Sequence, residues 1–233
     1  RGVDEECMDE AATYDAYLEV LPNGETLAQV LDLPGCFAYG ASSDIATLAL
    51  AAALPAYYAW LRRHDDYTPI VTGPYAMRVR EMVRVPPRAF FGPDAEPMDV
   101  GDLDLGASLL EWAYADLGAL VDGMSDAALA ARDARGLTPA DRLDGLLRVQ
   151  SWLLSRLEPQ PAPAPPEALA SGLPGGLRSI SQAAIGRLRN STADERERVL
   201  EHEGERWSLR KVLHRSVLEA RELLAALEGG PGG

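Results

Sequence analysis

Lysine is almost missing from this chain: Lys211 stands alone against 21 arginines. With much Ala, Gly and Pro, that bias is what GC-rich bacterial coding would leave. Cysteine is nearly as scarce. Cys7 and Cys36 are the two present, far apart, so no disulfide framework is expected. Histidine occurs three times, at 64, 202 and 214. A metal site built from several His or paired Cys is short of ligands, and none is expected. Long apolar runs are missing too. The longest, Ile45 to Trp60, carries Pro55 and falls short of the roughly 20 residues a bilayer demands. Arg1 to Glu10 is acidic and carries no signal-peptide core, so the expected location is the cytoplasm, with no membrane contact. No glycine-rich phosphate loop and no nucleophile–base signature is found. Neither a catalytic residue nor a cofactor is therefore assigned.

Surplus positive charge is absent as well. The 233 residues hold 22 Lys and Arg against 36 Asp and Glu, a net charge of -14. Residues 1–92 hold 7 basic and 13 acidic side chains, and the remainder 15 and 23, so both halves are acidic. Phosphate backbones are bound by excess cations, so general nucleic-acid binding is not expected. A basic protein partner suits this field better. Apolar residues at 47% and charged residues at 25% are ordinary for a chain that builds a core.

What is present divides in two. Thr13 to Leu21 alternates and reads as a strand, and Pro22-Asn23-Gly24-Glu25 as a turn. Thr26 to Leu31 returns, Asp32-Leu33-Pro34-Gly35-Cys36 breaks it, and Phe37 to Gly40 continues. Ser42 or Ser43 caps an Ala- and Leu-rich helix with Asp44 in its first turn, running to about Arg63. A final strand spans Tyr75 to Val85. The expected order is β-β-β-α-β over residues 8–92. Asp32 and Asp44 could suggest a carboxylate pair for a divalent cation, but a turn and a helix first turn explain them better. In the last strand, Tyr75, Met77, Val79, Val83 and Val85 should share one face, and Arg78, Arg80 and Arg84 the other with Met82. That arginine row is a candidate partner-binding face. Its plainer reading is a solvated row that blocks edge-to-edge pairing.

Pro86-Pro87 and Gly92-Pro93-Asp94-Ala95-Glu96-Pro97 mark a linker at 93–104. Beyond it, Leu105, Leu109, Leu110, Ala113, Leu117, Leu120 and Val121 form one helical stripe, ended by Gly123. Thr138-Pro139-Ala140-Asp141 opens a second helix that buries Leu143, Leu147, Leu154 and Leu157. A proline-rich loop at 158–168 reads as polyproline II. A third helix covers Leu177 to Arg189, Thr192 to Glu195 boxes a short one, and Ser208 caps the last. There Leu209, Leu213, Ser216, Ala220, Leu223 and Leu227 repeat at 4-3 spacing. The fold class expected is α+β: a small β-β-β-α-β module, then an all-α four-helix bundle over 105–228.

Two resemblances follow from these residues. Leu31-Asp32-Leu33-Pro34-Gly35-Cys36, then Gly40, then Ser42-Ser43 before an Ala-rich helix, resembles the HicB family over about 75 residues. That likeness implies a partial RNase-H-like fold and, in antitoxin members, neutralisation of a small basic RNA nuclease. Such members usually add a DNA-binding tail, which nothing here matches. Thr192 to Leu224, with Gly204-Glu205-Arg206-Trp207-Ser208 at its centre, resembles the end of the DinB-like bundles, and Leu109 to Leu129 their first helix. Many of those hold a divalent metal with three histidines, some to activate a thiol cofactor. The matching positions here are Glu219, Leu223 and a site near Arg148 to Gln150, so the triad is lost and Glu219 is the single retained candidate ligand. His214 is five residues from Glu219, about 140° around the helix, and should lie near the surface. His202, in Glu201-His202-Glu203, should be solvated, and His64 should sit at a helix C-terminal end. Trp112, Trp152, Trp207 and Glu219 are candidates to line a ligand pocket between helices. The function expected is binding or regulation without catalysis, with a protein partner or self-association. The alternatives are a metal- or thiol-dependent transferase and an antitoxin-like binder of a basic nuclease.

Overall fold

Two tight turns fold the start of the chain into a three-stranded meander. The computed structural model describes residues 12–65, 68–70, 75–84, 88–133, 135–159 and 172–229, and only the backbone for 172–174. It divides into two compact units, 1–89 and 90–233. Its class is mixed α+β, with a four-stranded sheet, a two-stranded sheet and seven α-helices among the described residues.

In the first unit, β1 (Ala12–Val20), β2 (Thr26–Val30) and β3 (Cys36–Gly40) pair antiparallel. Gly24 takes φ +90° in the first turn and Gly35 +83° in the second, which a side chain would resist. Ser42 then caps α1 (Ser43–Leu61), its Oγ accepting from the Ile45 amide at 3.3 Å. Asp44 sits in the first turn of α1 as expected, and Asp32 is an exposed turn residue. The helix supplies the crossover that a parallel strand pair requires. β4 (Tyr75–Arg84) therefore returns beside β1 in parallel, giving the order β3-β2-β1-β4. Ala46, Leu50, Leu54 and Tyr57 of α1 are buried, and the Tyr58 and Tyr14 hydroxyls meet at 3.2 Å. Gly40 passes so close beneath α1 that a Cβ there would lie 2.3 Å from the Ala46 amide nitrogen.

Two expectations for this unit change. Ile45 to Trp60, with Pro55 inside it, was expected to be too short to span a bilayer. In fact α1 has 19 residues, passes through Pro55 on its exposed side, and is long and apolar enough to cross a membrane by length and composition. Second, the arginine row does not share one face. The β1–β4 register slips between Ala16 and Tyr17, leaving Arg80 as an extra residue in β4. Arg78 lies opposite Asp15 and Arg84 opposite Val20, two strand positions of opposite parity. Val79 and Met82, rather than Val79 and Val83, then pair with Ala16 and Leu18. Val85, Pro86, Pro87 and Met8 to Ala11, which the expected module included, fall outside the described residues.

The second unit starts earlier than expected. Residues 93–104 are not an open linker. Gly92–Ala95 is a 3-10 turn with Pro93 at its start, and Asp94 is buried with Oδ2 accepting from the Phe91 amide at 2.9 Å. Asp99 caps α2 (Val100–Asp122), accepting from the Asp102 amide at 2.7 Å. Leu105, placed on the apolar stripe, is 51% exposed, while Leu109, Leu110, Ala113, Leu117 and Val121 are buried. A short α3 (Asp126–Ala130) precedes α4 (Pro139–Ser155), which opens with the expected capping box of Thr138 and Asp141. Glu158 and Pro159 are described, but the rest of the proline-rich loop lies outside the described residues. Next come α5 (Gly172–Arg189) and α6 (Ala193–Glu197), then α7 (Leu209–Glu228).

This unit is not all-α. β5 (Val199–His202) and β6 (Glu205–Ser208) form a hairpin. Its turn residues Glu203 and Gly204 both take positive φ, 56° and 82°, matching a twisted two-residue hairpin loop. Four long helices pack in a cycle: α2 on α5 and α7, and α4 on α5 and α7. α2 and α7 run parallel, since Arg210 pairs with Asp102 and Leu213 abuts Gly106. α5 runs against α2, with Arg189 on Glu111.

Candidate functional site

The interior of the helical cycle is not wholly apolar. Gln150 of α4 sits at a 4-3 position among Leu143, Leu147, Leu154 and Leu157, which turns it inward. It is 0% exposed, and its Nε2 donates to the Ser216 carbonyl of α7 at 2.8 Å. Gln150 Oε1 and the Ser216 hydroxyl are buried without a partner. Tyr114 of α2 is 5% exposed, and its hydroxyl is equally unpartnered. Burial, and then the Glu219 carboxylate, push that phenol up from its ordinary pKa. Glu219 is half-buried and Leu223 is buried. Tyr114, Gln150, Ser216 and Glu219 thus bring three helices to one polar layer. Each orphaned buried polar atom costs on the order of 1–3 kcal/mol, so the layer is not explained by packing alone.

Sequence reasoning missed this layer, although Gln150 interrupts a leucine seam and Ser216 was already placed on the α7 seam. Either could have been read as a polar residue deliberately inside. Among the described residues, no three His, Cys, Asp or Glu side chains gather as metal ligands do.

Two of the three histidines are not where they were expected, while His64 lies at the C-terminal end of α1 as expected. His214 is 7% exposed rather than near the surface, with Nδ1 3.4 Å from Asp94 Oδ1. Both of those atoms lack a hydrogen-bond partner. The helical arithmetic assumed one packed face, but α7 also carries the 3-10 turn against its other side. His202 is buried, because the hairpin turns it inward, and its Nε2 lies 3.1 Å from the Arg156 carbonyl. His64 follows the end of α1 with its ring against Trp60.

The expected tryptophan pocket is not assembled. Trp152 and Trp207 stack edge-to-face at 5.2 Å, and the Arg156 guanidinium lies 4.8 Å from the Trp152 ring. Lys211, the single lysine, is 1% exposed; its Nζ donates to the Arg206 carbonyl at 2.9 Å and sits 3.9 Å from the Trp207 ring centre. These contacts fasten the hairpin to α7. Trp112 is half-buried on α2. A cleft of about 210 Å³ does open, but between α2 and α5, and Tyr114 rather than any tryptophan lines it. In the first unit, Arg78 and Arg80 both reach Asp15, at 2.6 and 3.4 Å, while Arg84 is exposed. That pair holds the Asp15 carboxyl below its usual range, the Arg78 hydrogen bond being the first cause.

Set against family models, curated proteins and solved structures, the chain matches none of them.

Proposed function

We propose that this chain is a binding or regulatory protein without catalytic activity, in which a HicB-like module precedes a DinB-like four-helix bundle that has lost its metal ligands. The carrying observation is Gln150. It falls in the stretch where the resemblance implies a metal-binding histidine, and its amide is bonded to the Ser216 backbone instead. Leu223, at a second such position, is buried apolar surface. The closed cycle of α2, α5, α4 and α7 supports the bundle, and the β-β-β-α-β order with its Gly35 and Gly40 turn geometry supports the HicB-like module. The partner is another protein or a second copy of the chain. Elemental analysis of the purified full chain tests the reading: no stoichiometric Zn²⁺ or Ni²⁺ is expected, and one equivalent of either would overturn it.

Glu219 favours a second reading, a metal- or thiol-dependent transferase. It is half-buried beside the buried Tyr114 phenol, at the one retained ligand position. Turnover abolished both by chelator and by Glu219→Ala would favour it over the first.

A further inference from the structure

The helix α1 is apolar on both of its faces. From Ile45 to Leu61 no residue carries a charge. One face packs on the sheet through Ala46, Leu50, Leu54 and Tyr57. The opposite face carries Ile45, Leu48, Ala52, Pro55 and Ala59, and all five are exposed. Leu48 is 73% exposed and Ile45 52%. A surface helix ordinarily turns polar residues outward, and one that is apolar all round is covered all round. The five recur at 3-4 spacing, the pattern of a seam between two helices.

Size and charge along the seam select its partner. Its bulky side chains come first, Ile45 and Leu48, and its smaller ones follow, Ala52, Pro55 and Ala59. A second α1 laid antiparallel sets Leu48 of each copy against Ala59 of the other, so large meets small. Ala52 then faces Pro55 at the middle, where the two helices can approach closely. Charge appears where the seam stops, with Asp44 before it and Arg62 after it. These two are 18 residues apart, about five full turns, so they lie on the same flank of the seam. A twofold axis across antiparallel helices brings like flanks together, and each Asp44 meets the other copy's Arg62. A parallel pair would instead set Asp44 beside Asp44 and Arg62 beside Arg62. Asp44 is exposed, and Arg62 is half-buried with Nη1 donating to the Pro69 carbonyl at 3.4 Å, a contact that engages a single nitrogen.

We infer that α1 is the contact between two copies of this chain, packed antiparallel about a twofold axis at the level of Ala52 and Pro55, with Asp44 of each copy paired to Arg62 of the other. The inference rests on the self-association named in the reading above and gives it a surface.

Sedimentation equilibrium of the full chain at micromolar concentrations should show a dimer. Leu48→Glu buries a charge in the seam and should weaken self-association at least about a hundredfold. Its circular dichroism should match that of the parent, because Leu48 stands clear of the core. Should Leu48→Glu fail to fold, Ala52→Glu, at another exposed position, carries the test. Asp44→Arg and Arg62→Asp each set like charges together and should weaken the dimer about tenfold, while the double exchange should return it to within about threefold of the parent. A parent chain that stays monomeric overturns the inference, as does a dimer that survives Leu48→Glu. Single exchanges without effect overturn it too, since the antiparallel pairing is part of it. Flotation of a monomeric parent with phosphatidylcholine vesicles, lost in Leu48→Glu, would assign the face to lipid and overturn it likewise. Metal content of the same preparation separates the two claims. A metal-free monomer sinks this contact alone, whereas bound metal sinks the reading beneath it.

Discussion

Gln150 donates its side-chain amide to the Ser216 carbonyl across 2.8 Å, joining α4 to α7 inside the helical unit. If the DinB-like likeness is right, Gln150, Glu219 and Leu223 face one interior point. Glu219 and Leu223 are one turn apart on α7, the spacing that aligns two ligands. The double variant Gln150→His with Leu223→His would then supply two imidazoles beside a carboxylate. It should take up one Zn²⁺ per chain and gain thermal stability as Zn²⁺ is added, while the parent chain does neither. A folded double variant that ignores zinc would show that these positions do not converge.

Gly40 offers a sharper test in the first unit. A methyl group there would sit 2.3 Å from the Ala46 backbone nitrogen, and backbone cannot swing aside as a side-chain tip can. Gly40→Ala should cost at least about 1–3 kcal/mol, the range for overpacking a filled site. Urea denaturation followed at the Trp60 signal reports it. Gly24→Ala is a useful contrast, because its strain comes from φ +90° with nothing within 4 Å of the added atom.

Much of this fold could be read from local chemistry. Asn23-Gly24, Ser42 with Asp44, Thr138-Pro139-Ala140-Asp141, Thr192 with Glu195, and Ser208 each satisfy orphan backbone groups within four residues, and each appears where expected. What failed depends on partners distant in sequence. The burial of His214 is set by a 3-10 turn about 120 residues earlier. The split of the arginine row is set by a bulge against β1, which no alternation pattern within β4 reveals. The hairpin at 199–208 was hidden because its strands are four residues each and carry charges that read as a solvated run. The polar layer was half legible: Gln150 and Ser216 lay on the seams, but the orphaned hydroxyl of Tyr114 needed three helices in place.

Asp94 connects the entry turn to α7. One carboxylate oxygen accepts from the buried Phe91 amide and the other lies 3.4 Å from His214 Nδ1. Asp94→Ala leaves the buried Phe91 amide without its acceptor and should cost about 1–3 kcal/mol of unfolding free energy. Asp94→Asn retains an acceptor for the Phe91 amide and should cost less. Equal losses would mean that the charge facing His214, rather than the turn, is what matters.

The acid side of the stability profile has identifiable carboxylates behind it. Glu195 accepts from the Thr192 amide at 2.8 Å and from Arg187 Nη2 at 2.6 Å. Those donors, the backbone amide first, hold its carboxyl below the ordinary value of 4.5. The Thr138 backbone and hydroxyl act the same way on Asp141, and Arg142 on Asp133. A depressed carboxyl binds fewer protons in the folded chain than in the unfolded one. Its contribution is therefore complete above the ordinary value and drains away as pH falls through the folded value. The urea midpoint of the helical unit should drop as pH is lowered from about 6 to about 3. Glu195→Gln keeps the box, because glutamine serves at that position, but removes the titration. Its midpoint should fall less steeply over the same range; a slope equal to that of the parent would assign the acid sensitivity to other groups.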